Sequence, residues 1–166
     1  MGDAAAIVSA AVAIAAILIA IWQTRLTRRA VQSQVLISLK QMADEIHYFS
    51  GIAVISGLPH YDDFDTYLKE VPEESQRAIY HTVDFLNYVA HTVSDGFLPR
   101  QIAWNYYFHG YRLCNENLMP WWLEGVRRDR FQGFTHFEKM CRQIGAISDY
   151  TIEQRERKAG LRPFAK

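Results

Sequence analysis

The sequence is poor in the residues by which chemistry is usually recognised. It has two cysteines in 166 residues, Cys114 and Cys141, too far apart for the CxxC of a redox motif. It has no Walker loop, no glycine-rich dinucleotide fingerprint and no nucleophile elbow. Acidic and basic side chains balance to a formal net charge of zero, so no global basic field draws the chain to nucleic acid. No stretch alternates apolar and polar residues as a strand does over a useful length. The six histidines, His47, His60, His81, His91, His109 and His136, form neither HExxH nor a paired metal spacing. His109 and Cys114 stand five residues apart, as do His136 and Cys141. On a helix that spacing turns about 140°, so neither pair faces one ion. No catalytic residue, cofactor or metal is expected on these grounds.

Two further absences carry positive information. Residues 4–24 contain no charge, and up to Trp22 the only polar side chain is Ser9. About 20 apolar residues are what a bilayer core of roughly 30 Å requires of a helix. A cleaved secretion signal would place basic residues before a shorter apolar core. Here Asp3 precedes the run, and Arg25, Arg28 and Arg29 follow it. Basic residues gather on the cytoplasmic side of a span. The expected topology is therefore a single-pass inner-membrane anchor with its N-terminus outside and residues 25–166 in the cytoplasm, where both cysteines stay reduced. Trp22 falls where an interfacial aromatic belongs. A buried helix of a soluble protein is the competing reading. Small residues recur at four-residue spacing, Ala6 with Ala10 and Ser9 with Ala13 among them, which lets helices approach closely in lipid. In so alanine-rich a segment the spacing also arises by chance.

No proline or glycine interrupts the chain between Gly2 and Gly51. Val35, Leu39, Met42, Ile46, Phe49 and Ala53 step by alternating fours and threes, one face of a helix close to a coiled-coil seam. One continuous helix of about 70 Å is expected over residues 4–50. Its stripe packs against later helices of the same chain or pairs with a second copy.

Beyond the Gly57 and Pro59 turn, "HYDDFDTYLKEVPEES" reads as a solvated acidic face, lacking the loop spacing of an EF-hand. A helix is expected from Pro72 to Ser94, with Ile79, Val83, Leu86, Ala90 and Val93 inward and Asp95 and Gly96 ending it. Pro99 opens the next. It carries "WNYYFHGYRLCNENLMPWW", whose Trp104, Phe108, Tyr111, Leu118 and Trp122 share a face if the helix passes Pro120. The stripe reads as core; the sharper alternative is a ligand pocket with candidates Trp104, Tyr107, His109, Tyr111 and Arg127. Arg127, Arg128 and Arg130 could hold a phosphate or carboxylate; local pairing with Glu124 and Asp129 is the plainer reading. A last helix contains Phe134, Phe137, Met140, Cys141 and Ile144. A basic tail follows, either solvated or drawn to anionic lipid.

The fold class is all-α, one N-terminal transmembrane helix continuing into a cytoplasmic helical bundle. The layout is an anchor at 1–24, a helix extending from the membrane at 25–56, a bundle at 57–148 and a charged tail at 149–166. Interaction candidates are Ala6, Ala10, Ala13, Val35, Leu39, Met42, Ile46 and Phe49. The stretches "QTRLTRRAVQSQVLISLKQMADE", "VDFLNYVAHTVSDGFLP" and "WW…RRDRFQGFTHFEKMC" resemble a bacterial family, domain of unknown function 4760. That resemblance implies the same plan, one span running into a helical domain, and no known activity. The expected role is an interaction module, an accessory subunit or scaffold whose partners are the lipid bilayer and membrane proteins or a second copy. The alternative is a small-molecule sensor or enzyme using the aromatic pocket.

Overall fold

The computed structural model describes residues 2–119, 121–129 and 133–145, the side chains at 2–9, 11, 129 and 145 excepted. Every element among them is a helix: α1 (Gly2–Glu45), α2 (Tyr48–Ser56), α3 (Phe64–Glu70), α4 (Glu73–Ser94), α5 (Arg100–Asn117), α6 (Trp121–Asp129) and α7 (Thr135–Gly145). The all-α class is observed. The chain divides into two units, Met1–Ser38 and Leu39–Lys166.

The first unit is helical throughout its described length, within α1. Among the described residues no helix is long and apolar enough to cross a membrane. The large apolar side chains Val12, Ile14, Ile17, Leu18, Ile19, Ile21 and Trp22 of α1 are all exposed. At 100° per residue they spread over about 220° of the helix, and the exposed Ala13, Ala16 and Ala20 occupy the remaining sector.

In the second unit α4 is the centre, packed against α2, α5 and α7, while α3 packs on α6. The inward stripe of α4 is the expected one: Ile79, Val83, Leu86 and Ala90 are buried and Val93 half-buried. Its end also follows the sequence. Gly96 takes a left-handed φ of 77°, and Thr92 O accepts from the N–H groups of Phe97 and Leu98, both at 3.1 Å. Polar side chains pin element ends across the bundle. Asn117 Nδ2 donates to Ile55 O at 2.9 Å, and Asn87 Oδ1 accepts from Phe137 N at 3.1 Å at the start of α7.

The single helix expected over residues 4–50 is two. α1 ends at Glu45, and His47 sits in the left-handed region at φ 54° before α2 begins. The cause is tertiary. Re-phasing at His47 turns Tyr48, Gly51 and Ile55 into the core and leaves Phe49 76% exposed. α2 can press this close because two glycines leave room. A Cβ on Gly51 would overlap Thr82 Oγ1 on α4, and one on Gly110 of α5 would overlap Tyr48 Oη. The left-handed backbone costs an L-residue about 1 kcal/mol or more. His47→Gly is therefore expected to raise stability by about 0.5 kcal/mol, the relief being partly offset by unfolded-chain entropy. His47→Ile should lower it by about 1 kcal/mol or more, because a β-branched side chain fits that backbone worst. Urea unfolding of the two variants, with equal midpoints, would show that the turn carries no strain.

α3 was not expected. Asp63 accepts from Thr66 N and from Thr66 Oγ1, both at 2.8 Å, and caps it. Gln76 Nε2 ties its far end to α4 by donating to Leu68 O at 3.0 Å and Val71 O at 2.7 Å. α5 and α6 are likewise separate helices, so the condition for Trp104 and Trp122 to share one helix face is not met; Pro120 itself lies outside the described residues.

Candidate functional site

The aromatic residues singled out in the sequence serve several different contacts. Tyr107 is buried edge-on against Tyr48 and Phe85, with centroids at 5.9 and 5.4 Å. Tyr111 is buried beside Phe137 at 6.1 Å, and its hydroxyl donates to Leu86 O at 2.6 Å. Trp104 is half-buried against Phe108 at 4.7 Å, under the Arg100 guanidinium. His109 is exposed on the same helix. Burial pushes the Tyr48 and Tyr111 phenols well above their ordinary range. The two cysteines are buried free thiols, also pushed up by burial, and the Cys141 thiol donates to Tyr111 O at 3.6 Å. A thiol so held is a packing group rather than a nucleophile.

The arginine cluster is also committed. Arg127 donates to Gly133 O at 3.2 Å and to Glu138 Oε2 at 2.7 Å; Arg128 reaches Asp65 of α3 at 3.3 Å. Arg130 and the Asp129 side chain lie outside the described residues. Arg142 completes the network on Glu138 at 2.7 Å. Burial works to raise the Glu138 carboxyl, but the hydrogen bonds and charge of Arg127 and Arg142 outweigh it and hold the group below the usual carboxylate range. A depressed folded value means stability that is present above the unfolded value and lost as pH falls through the folded one. Glu138→Gln is expected to lower Tm by roughly 4 °C at pH 7, about 1 kcal/mol. The gap to wild type should close as pH falls below about 4. A gap constant from pH 7 to pH 3 would mean that the charge of Glu138 contributes nothing.

The seam candidates separate at His47. Leu39 is buried, Val35, Met42 and Ile46 are half-buried, and Phe49 is exposed. Ala10 and Ala13 are exposed on α1, and the Ala6 side chain lies outside the described residues, as do the chain beyond 145 and its basic tail. His91 and His136 meet edge to face at 4.7 Å, with Asp95 3.2 Å from His91 Nδ1. No group of three possible ligands is assembled to hold a metal among the described residues.

Sequence reasoning missed one concave site. A groove of about 320 Å³ lies between α3, α4 and α6, lined by Phe64, Tyr67, Tyr80 and Trp122 with Glu73 and Arg77 also in its lining. Gly125 of α6 lets α3 sit this close, since a Cβ there would overlap the Phe64 ring. The signal was present in the Asp63 and Thr66 spacing, a helix cap inside what read as a solvated acidic face. No family model, curated protein or solved structure matches the chain.

Proposed function

We propose that the protein is a membrane-anchored helical interaction module, held in the inner membrane by its N-terminal helix with the bundle on the cytoplasmic face. The observation that carries this reading is the all-round apolar exposure of α1. Seven large side chains from Val12 to Trp22 are about half or more exposed. Each forfeits roughly 1 kcal/mol in water. A helix apolar on every side is covered by protein or by lipid. In the sequence the uncharged run extends over residues 4–24, a bilayer's worth, and Arg25, Arg28 and Arg29 follow on the side expected to stay inside.

Within that reading the partners are lipid and either another membrane protein or a second copy. Ala10 and Ala13 offer a small-residue surface for a neighbouring span. Two measurements test the reading together. A reporter fused after Lys166 should be active only in the cytoplasm; activity confined to the periplasm would sink the topology. Purification of the native chain in mild detergent should give a particle larger than one copy, and a stable monomer would remove the interaction role.

A further inference from the structure

We propose that the cleft between α4, the start of α5 and α7 binds a small carboxylate with a short apolar body. The cleft holds about 160 Å³, room for a ligand of a few carbons rather than for a nucleotide. Three helices meet in it. Ala90 and Val93 come from α4, Arg100 opens α5, and His136, Lys139 and Met140 come from α7. Its apolar lining is part of the bundle's packing, with Ala90 and Met140 buried and Val93 half-buried. Arg100 and Lys139 are exposed, so their charges are open to a ligand arriving from water. The half-buried His136 packs edge to face on His91 at 4.7 Å, and its ring carries an N–H donor in either protonation form. The cleft belongs to the bundle, so it does not depend on what covers α1.

Charge selects the sign. Among the described residues no carboxylate lines the cleft. Lys139 has Thr135, His136, Arg142 and Gln143 at helical spacing, none of them acidic, and among the described residues it is in no ion pair. Arg100 lies over the Trp104 ring at 5.8 Å, a contact that leaves its charge uncompensated. The acids next to the lining in sequence are engaged elsewhere. Asp95 stands 3.2 Å from His91 Nδ1, and Glu138 carries both Arg127 and Arg142 at 2.7 Å. Two unpaired positive charges at one cleft repel each other, and a bound anion relieves that repulsion. The Arg100 fork matches the two oxygens of a carboxylate. The apolar lining then separates carboxylates from phosphate. Inorganic phosphate is hydrated on every side and gains nothing from Val93 and Met140, whereas an alkyl stem buries against them.

The test uses the full chain in dodecyl maltoside, an uncharged detergent, and equilibrium dialysis of labelled butyrate at pH 7. Saturable binding with Kd of about 1 mM is expected. Butyramide, which keeps the stem and lacks the charge, should compete about tenfold more weakly or worse. Acetate, which keeps the charge and loses two methylenes, should also compete about tenfold more weakly. Inorganic phosphate should not compete at the concentration of butyrate that does. Lys139→Gln and Arg100→Gln should each weaken butyrate about fivefold, and Lys139→Arg should leave it within about twofold of wild type. Both positions are exposed, so the core is left as it is, and thermal melts followed by circular dichroism check that the variants fold alike. Equal competition by butyramide, tighter binding of phosphate, or butyrate binding that neither glutamine variant changes would each overturn the proposal. So would the absence of saturable binding up to about 10 mM.

Discussion

Arginine at both Ile14 and Leu18 is expected to release the protein from the membrane. Each side chain is exposed on α1, so neither substitution removes a packing contact within the described chain. In a bilayer each arginine would cost about 2.5–3.5 kcal/mol at the centre of a span and forfeit the roughly 0.5 kcal/mol that Ile or Leu supplies. The pair together removes about 6–8 kcal/mol of insertion free energy, four or more orders of magnitude in the equilibrium. If residues 4–24 span the membrane as proposed, their alanine-rich composition gives only a modest insertion drive, so the loss should be complete. The measurement is alkaline carbonate extraction of membranes. Wild type should stay in the pellet, the double arginine variant should appear in the supernatant or be degraded, and Ile14→Leu with Leu18→Ile should behave as wild type. If wild type itself is extracted, α1 is covered by protein and not by lipid. The arginine pair would then change the particle's mass in solution.

How far the sequence could be read differs by element, and the reason is physical in each case. α4 and α7 were legible because their inward residues recur at helical spacing with no competing signal. Ile79, Val83, Leu86 and Ala90 are buried as that spacing requires, and so are Phe137, Met140, Cys141 and Ile144. The end of α1 was not legible. Nothing local stops that helix at Glu45: the seam through Ile46 and Phe49 is a sound apolar period, and an unbroken helix is what propensity favours. The competing set Tyr48, Gly51 and Ile55 has an equally good period but contains a glycine, whose inward role depends on Thr82, 31 residues later. Tertiary contact decides between two permissible phases, and one helix cannot announce its neighbour.

The candidate site failed to be legible for a related reason. "WNYYFHGYRLCNENLMPWW" concentrates aromatics in sequence, and it invited a pocket at Trp104, Tyr107, His109 and Tyr111. In the bundle the chain distributes them. Tyr107 and Tyr111 fill core positions on α5, Trp104 lies at the core's edge and His109 faces outward. The groove that does form draws on residues 64, 67, 80 and 122, which come from three helices. Periodicity reads faces of single helices, so a cavity assembled from three of them leaves little trace in it.

The close approach of α2 to α4 makes Gly51 a sensitive position in the bundle. Taken alone, Gly→Ala in a helix should stabilise by about 1 kcal/mol through propensity. Here the added Cβ would overlap Thr82 Oγ1 and stand 3.0 Å from the Ala78 carbonyl oxygen. Overpacking of this kind costs about 1–3 kcal/mol, and backbone oxygen cannot swing aside as the end of a side chain can. The clash is expected to win, with a net loss of about 2 kcal/mol and a fall in Tm of roughly 8 °C. Thr82→Ala alone should cost about 1 kcal/mol, since it removes a buried methyl group and the hydroxyl that donates to Ala78 O at 2.8 Å. In the double variant the new Cβ occupies the space that Oγ1 leaves, so the two losses should not add. A favourable coupling of about 1–2 kcal/mol is expected. The remaining 3.0 Å contact with the carbonyl keeps the double variant below wild type. Urea unfolding of the four proteins in one detergent measures the cycle. A Gly51→Ala protein more stable than wild type by the propensity term would mean that α2 does not press on α4, and that His47 turns the chain for some reason other than this contact.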